Sequence, residues 1–188
     1  MNNGNEVTEK RINKVRRIVR YSVTVAASLL LIIVCIVVYN FYRLSSDRLF
    51  TEKYSVYELT TIRIENDSTE SKIGKAYREK NYAEVIKLNA NSVLSVKDIF
   101  LTALSFLETS DPSRAISNFQ VVIADAKDDK NSVLKDATEY YLALAYLKNN
   151  DYDQAIELMN TIRDNASHQY QSKFSRKYIN KIKRLKWR

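Results

Sequence analysis

Residues 22–39 read SVTVAASLLLIIVCIVVY, eighteen positions in a row with neither a charge nor a Pro. At about 1.5 Å of rise per helical residue, a run of this length matches the roughly 30 Å hydrocarbon core of a bilayer. Its eleven Val, Leu and Ile side chains favour insertion by roughly 3–7 kcal/mol in total, against small costs for the three hydroxyl residues Ser22, Thr24 and Ser28. Tyr21 on one side and Tyr39, Phe41 and Tyr42 on the other stand where aromatic belts form. The run therefore predicts a transmembrane helix over 21–42. A cleaved leader is the alternative, but the run exceeds the roughly 7–15 apolar residues of such leaders, and the YNFYRLSS that follows has no small-x-small cleavage site. Cys35, deep in the run, reads as a small lipid-facing apolar residue. The Ser22/Ala26 and Thr24/Ser28 pairs have the small-xxx-small spacing of paired helices.

Charge orients that helix. Residues 1–20 carry six Lys and Arg against two acids, whereas only Arg43, Arg48 and Lys53 follow the run closely. The excess of cations before the span places 1–20 in the cytoplasm and everything after the span on the far side. Of the net charge of +8, residues 168–188 contribute eight cations and no acid, which leaves the body of the chain mildly acidic. A pI near 9.4 alone suggests nucleic acid, but a basic end on the far side of a membrane cannot reach it.

Two Gly and one Pro in 188 residues argue against turn-rich sandwiches, barrels and glycine-looped nucleotide folds, and for an all-α chain. One Cys and one His remove disulfide frameworks, cysteine-based metal clusters and most nucleophile–histidine machinery. His168 stands in the polar NASHQY stretch with no acid at useful spacing, and Asp128 and Asp129 belong to a solvated loop. The chain is expected to be no enzyme and to hold no cofactor or metal.

Beyond the anchor, three fragments share a pattern: NYAEVIKL (81–88), DPSRAISNF (111–119) and DYDQAIELM (151–159). Each sets a polar cap before a small residue and Ile, which predicts the start of a hairpin's second helix. Asn81, Asp111 and Asp151 are the caps, Pro112 suits the first helical position, and Glu84 and Gln154 complete capping boxes. Amphipathic stretches precede each: KIGKAYREK, IFLTALSFLE (99–108) and EYYLALAYLK (139–148). Leu142, Ala143, Tyr146, Ala155 and Met159, and in the unit before them Thr102, Ala103, Phe106, Ala115 and Phe119, fall at the places of the W-x2-L-G-x2-Y and A-x3-F pattern. On these residues the chain resembles the tetratricopeptide repeat family. The spacing departs from the family's 34 residues, being 30 from Val85 to Ala115 and 40 from Ala115 to Ala155. A short helix ending near Asn91 accounts for the first interval and an inserted polar loop, KDDKNS (127–132), for the second.

The organisation read from sequence is a basic cytoplasmic tail (1–20), the transmembrane helix (21–42), an extended juxtamembrane segment (43–68), and a repeat domain (69–188). The domain comprises about three hairpins and a capping helix over 170–186, with Phe174, Tyr178, Ile182 and Leu185 as its buried face. Alternation at Thr61, Ile62, Arg63, Ile64 and Glu65 suggests that the juxtamembrane segment packs on the repeats.

The family's groove positions carry over to Phe100, Leu104, Leu107, Tyr140, Leu144 and Leu147, all apolar or aromatic. The groove is expected to hold either a protein partner or the chain's own 49–64 segment or last helix. Lys173, Arg176, Lys177, Lys181 and Arg184 form a candidate basic patch, either a solvated helix face or a contact for anionic lipid or an acidic protein. The resemblance to small, single-pass, membrane-anchored bacterial repeat proteins implies an interaction scaffold in the cytoplasmic (inner) membrane. Its repeats would be periplasmic and would dock an envelope or secretion-machinery partner. The alternative is a signalling accessory of the sigma-factor-regulator type, in which 10–20 contacts a cytoplasmic regulator.

Overall fold

The computed structural model describes Tyr21 and residues 25–39, 44–59, 70–89, 94–125 and 132–187. The chain forms two compact units, Met1–Leu44 and Ser45–Arg188. The basic tail 1–20, the alternating residues 61–65 and most of the KDDKNS stretch lie outside the described residues, as do Ser22 and Thr24 of the small-residue pairs.

In the first unit, residues 25–39 are helical (α1), and their Leu, Ile and Val side chains are exposed. Ser28 Oγ donates to the carbonyl of Val25 at 2.8 Å, which keeps the hydroxyl satisfied within the helix. Residues 22–24 of the apolar run lie outside the described residues. Among the described residues, no helix is long and apolar enough to cross a membrane. The transmembrane helix thus rests on the sequence argument alone.

The second unit is all-helical among the described residues apart from its connections. Its elements are α2 (Ser46–Lys53), α3 (Lys72–Arg78), α4 (Tyr82–Asn89), α5 (Val96–Glu108), α6 (Pro112–Asp125), α7 (Ser132–Lys148), α8 (Tyr152–Asp164) and α9 (Arg176–Lys186). Three hairpins, α3–α4, α5–α6 and α7–α8, stack in order, and α9 packs on α8. The second helices begin directly after Asn81, Asp111 and Asp151. Asn81 Oδ1 accepts the Glu84 N–H at 3.2 Å, and Asp111 Oδ1 accepts that of Arg114 at 3.1 Å. Asp151 differs, making no capping bond to α8. Its carboxylate instead accepts from the Asn149 side chain at 2.6 Å, which pulls it away from the helix end. Glu84 turns toward Lys87, at 3.6 Å, instead of back to its cap.

All three hairpin turns are the same structure. Lys80, Ser110 and Asn150 each adopt positive φ, at 58°, 61° and 65°. In each, the N–H of the next residue reaches the carbonyl five positions back: Asn81 to Ala76, Asp111 to Phe106, Asp151 to Tyr146. This is the Schellman closure of a helix C-terminus, in which one left-handed residue reverses the chain. It fixes the equivalence of the repeats independently of side-chain identity.

α6 has 14 residues against 8 in α4, and α7 has 17 against 13 in α5, so helix length contributes to the unequal spacing. The polar loop expected at 127–132 lies largely outside the described residues.

Two further boundaries depart from expectation. The juxtamembrane segment is not extended throughout, because Ser45 Oγ accepts the Arg48 N–H at 3.2 Å and starts α2. Tyr54, which ends α2, is extended, 55–58 form no helix, and 60–69 lie outside the described residues. The capping helix starts at Arg176 rather than 170: Ser175 caps it through Tyr178 N–H at 3.2 Å, after a 3-10 turn at Gln171–Lys173. Phe174, Tyr178, Ile182 and Leu185 are buried, with Ile179 beside them.

Candidate functional site

Positions i, i+4 and i+7 of a helix share one face, so Phe100, Leu104 and Leu107 line one side of α5, and Tyr140, Leu144 and Leu147 one side of α7. None of the six is more than 1% exposed. They do not form an open groove, because α2 and the residues after it lie across the concave face as a strap.

The strap is held by both side-chain packing and its own backbone. Leu49, Phe50 and Tyr57 are buried. Tyr57 packs edge-on against Phe100 with ring centres 5.0 Å apart, and Phe50 stacks on Tyr54 at 4.7 Å. Lys148 reaches over the Phe50 ring at 4.6 Å and donates to the Leu107 carbonyl at 3.1 Å, joining the Ser110 N–H on that acceptor. Four tyrosine hydroxyls of the repeat domain donate to strap carbonyls: Tyr178 to Leu49 at 2.7 Å, Tyr140 to Lys53 at 2.6 Å, Tyr141 to Ser55 at 2.8 Å and Tyr77 to Tyr57 at 3.3 Å. Tyr54 of the strap donates to Glu108 at 2.7 Å. Burial pushes the Tyr140 hydroxyl up to about 12 and raises Tyr141 and Tyr178 further, so all three stay protonated donors. The Tyr57 hydroxyl, by contrast, is buried without a partner.

Among the described residues, a recess of about 300 Å³ adjoins the strap. It lies between Val56, Tyr57 and Leu59 and the α3–α4 turn and is faced by Tyr77, Arg78, Lys80 and Tyr82. Arg78 is ion-paired with Glu70.

The candidate basic patch falls mainly on the outer face of α9, opposite Tyr178, Ile179, Ile182 and Leu185. Lys173, Arg176, Lys177 and Arg184 are exposed, while Lys181 is partly covered and paired with Glu52 at 3.0 Å. Lys183 belongs with them, and Trp187 beside it is 87% exposed.

His168 does have acidic neighbours, supplied by α7 instead of by its own stretch of chain. Its buried Nε2 faces Glu139 at 3.3 Å and Asp136 at 3.7 Å. The three side chains offer the donor types of a metal site. Nδ1 accepts the Tyr170 N–H at 3.0 Å, and Nε2 is buried without a hydrogen-bond partner among the described residues. With the Gln169 N–H donating to Asp136 at 2.7 Å, the cluster pins the α8–α9 connection to α7.

Residues 137–167 match the family model for the tetratricopeptide repeat, covering most of α7, the turn and α8. No curated protein matches the chain, and no solved structure does. The match supports a tetratricopeptide repeat protein, and the repeat suggests a role in protein–protein interaction.

Proposed function

We propose that this chain is a membrane-tethered interaction scaffold of the small, single-pass bacterial kind. Residues 1–20 are cytoplasmic, 21–42 anchor it in the cytoplasmic membrane, and the repeat domain stands in the periplasm, docking an envelope or secretion-machinery partner. The observation that carries the docking role is the repeat itself: three hairpins closed by the same turn, the third matching the family model. The tether is supported by the uncharged run 22–39 and by the six cations that precede it.

The strap decides where a partner docks. A tethered segment acts at an effective concentration on the order of millimolar, so a micromolar peptide making the same contacts loses by roughly a thousandfold. The partner instead docks at the recess beside Val56 and the α3–α4 turn. Val56 is 45% exposed, and a photo-crosslinking residue placed there in cells is expected to capture one defined protein. Recovery of intrachain crosslinks alone would overturn docking at this face. Reporter fusions at Arg188 test the topology, and activity of a cytoplasm-only reporter there would overturn the periplasmic placement.

A further inference from the structure

We infer that the outer face of α9 seats on an anionic phospholipid surface with Trp187 as its interfacial anchor. At 3.6 residues per turn, Arg176, Lys177, Asn180, Lys183, Arg184 and Trp187 fall on one side of the helix, opposite the buried Tyr178, Ile179, Ile182 and Leu185. All six are exposed. The two cations that flank this stripe are already used, Lys181 by Glu52 at 3.0 Å and Lys186 by Asp153 at 2.6 Å. Lys183 and Arg184 also complement the dipole at the end of α9, which accounts for cations there but not for an indole in water.

Trp187 is the chain's single Trp and is 87% exposed at the C-terminal end of the cationic stripe. An indole gains most at the boundary between headgroups and acyl chains, and Lys and Arg stems lie along that boundary with their charges in the headgroup layer. The apolar side of α9 is committed to the domain core, so the contact is electrostatic with one inserted ring. A convex, cation-rich face built on one helix fits an extended anionic plane. Each cation near such a surface strengthens the contact about fivefold.

The inference shares the membrane reading given above but has its own readout. Full-length protein is reconstituted into phosphatidylcholine bilayers with and without phosphatidylglycerol, and Trp187 emission and acrylamide quenching are recorded. A blue-shifted, protected Trp187 in the anionic bilayers alone, lost at 1 M salt, is the expected result. The double substitution Lys183→Gln/Arg184→Gln, at exposed positions, weakens the contact roughly thirtyfold and should return the emission to its zwitterionic value with unchanged circular dichroism. Identical emission in both bilayers, or a shift that survives the double substitution, overturns the contact and leaves an acidic protein as the occupant of this face. Flotation on phosphatidylcholine vesicles after an alkaline wash reads the anchor separately. A chain that fails to float there yet shows the anionic shift loses its anchor and keeps this contact.

Discussion

Two tyrosines of the concave side make opposite predictions at the scale of a single atom. Tyr141 donates to the Ser55 carbonyl at 2.8 Å, whereas the Tyr57 hydroxyl is buried and unpartnered. Tyr141→Phe should lower stability by about 1 kcal/mol, and Tyr57→Phe should leave it unchanged or raise it, because an unsatisfied buried hydroxyl is itself a cost of about 1–3 kcal/mol. Chemical denaturation of the two variants checks the sign. Ser110 stands at φ 61° in its turn, where an L-residue pays strain that Gly avoids. Ser110→Gly should therefore stabilise by roughly 1 kcal/mol, read as a rise in Tm. None of this was legible in the sequence, since a Ser and a Lys give no sign of left-handed backbone, and hydroxyl partners depend on the tertiary fold. His168 shows the same limit: its acids stand about thirty residues away, on α7, which local spacing cannot register.

At the scale of elements, the helix starts at Tyr82, Pro112 and Tyr152 were legible because a capping residue and a small residue recur there at fixed offsets. Ala155, fully buried on α8 where it packs against α7, illustrates why the small residue is needed. Ala155→Leu should overpack the pair by about 1–3 kcal/mol, measured by denaturant midpoint. The strap was only partly legible. The 49–64 segment was one of the expected occupants of the groove, but SDRLFTEK lacks an obvious helical stripe, and α2 depends on the Ser45 cap and on burial of Leu49 and Phe50. The groove positions follow a pattern that reads alike whether a partner or the chain's own strap covers it. Burial of Phe174, Tyr178, Ile179 and Ile182 makes the last helix part of the core. Removing 170–188 is expected to unfold the domain, and an unchanged Tm would refute that.

For the molecule as a whole, the tyrosine network ties stability to pH. Burial holds Tyr54, Tyr57, Tyr77, Tyr141 and Tyr178 far above the ordinary tyrosine value and Tyr140 at about 12. The unfolded chain ionises these groups from about pH 10. The stabilisation is thus complete below pH 10 and is lost as the pH climbs toward the folded values. Absorbance at about 295 nm, which reports tyrosinate, should rise for these residues together with loss of helical circular dichroism. Ionisation that clearly precedes unfolding would mean that the strap is looser than its bonds imply.

The bond from Tyr178 to the Leu49 carbonyl joins residues 129 positions apart. During synthesis the strap emerges long before its last partner, and so does the concave face it covers. The domain therefore cannot be locked from one end as it is made. A nascent chain, or one threaded through a pore from its N-terminal side, carries an unlatched strap until α9 arrives, and the mature surface is a property that only the finished polypeptide acquires.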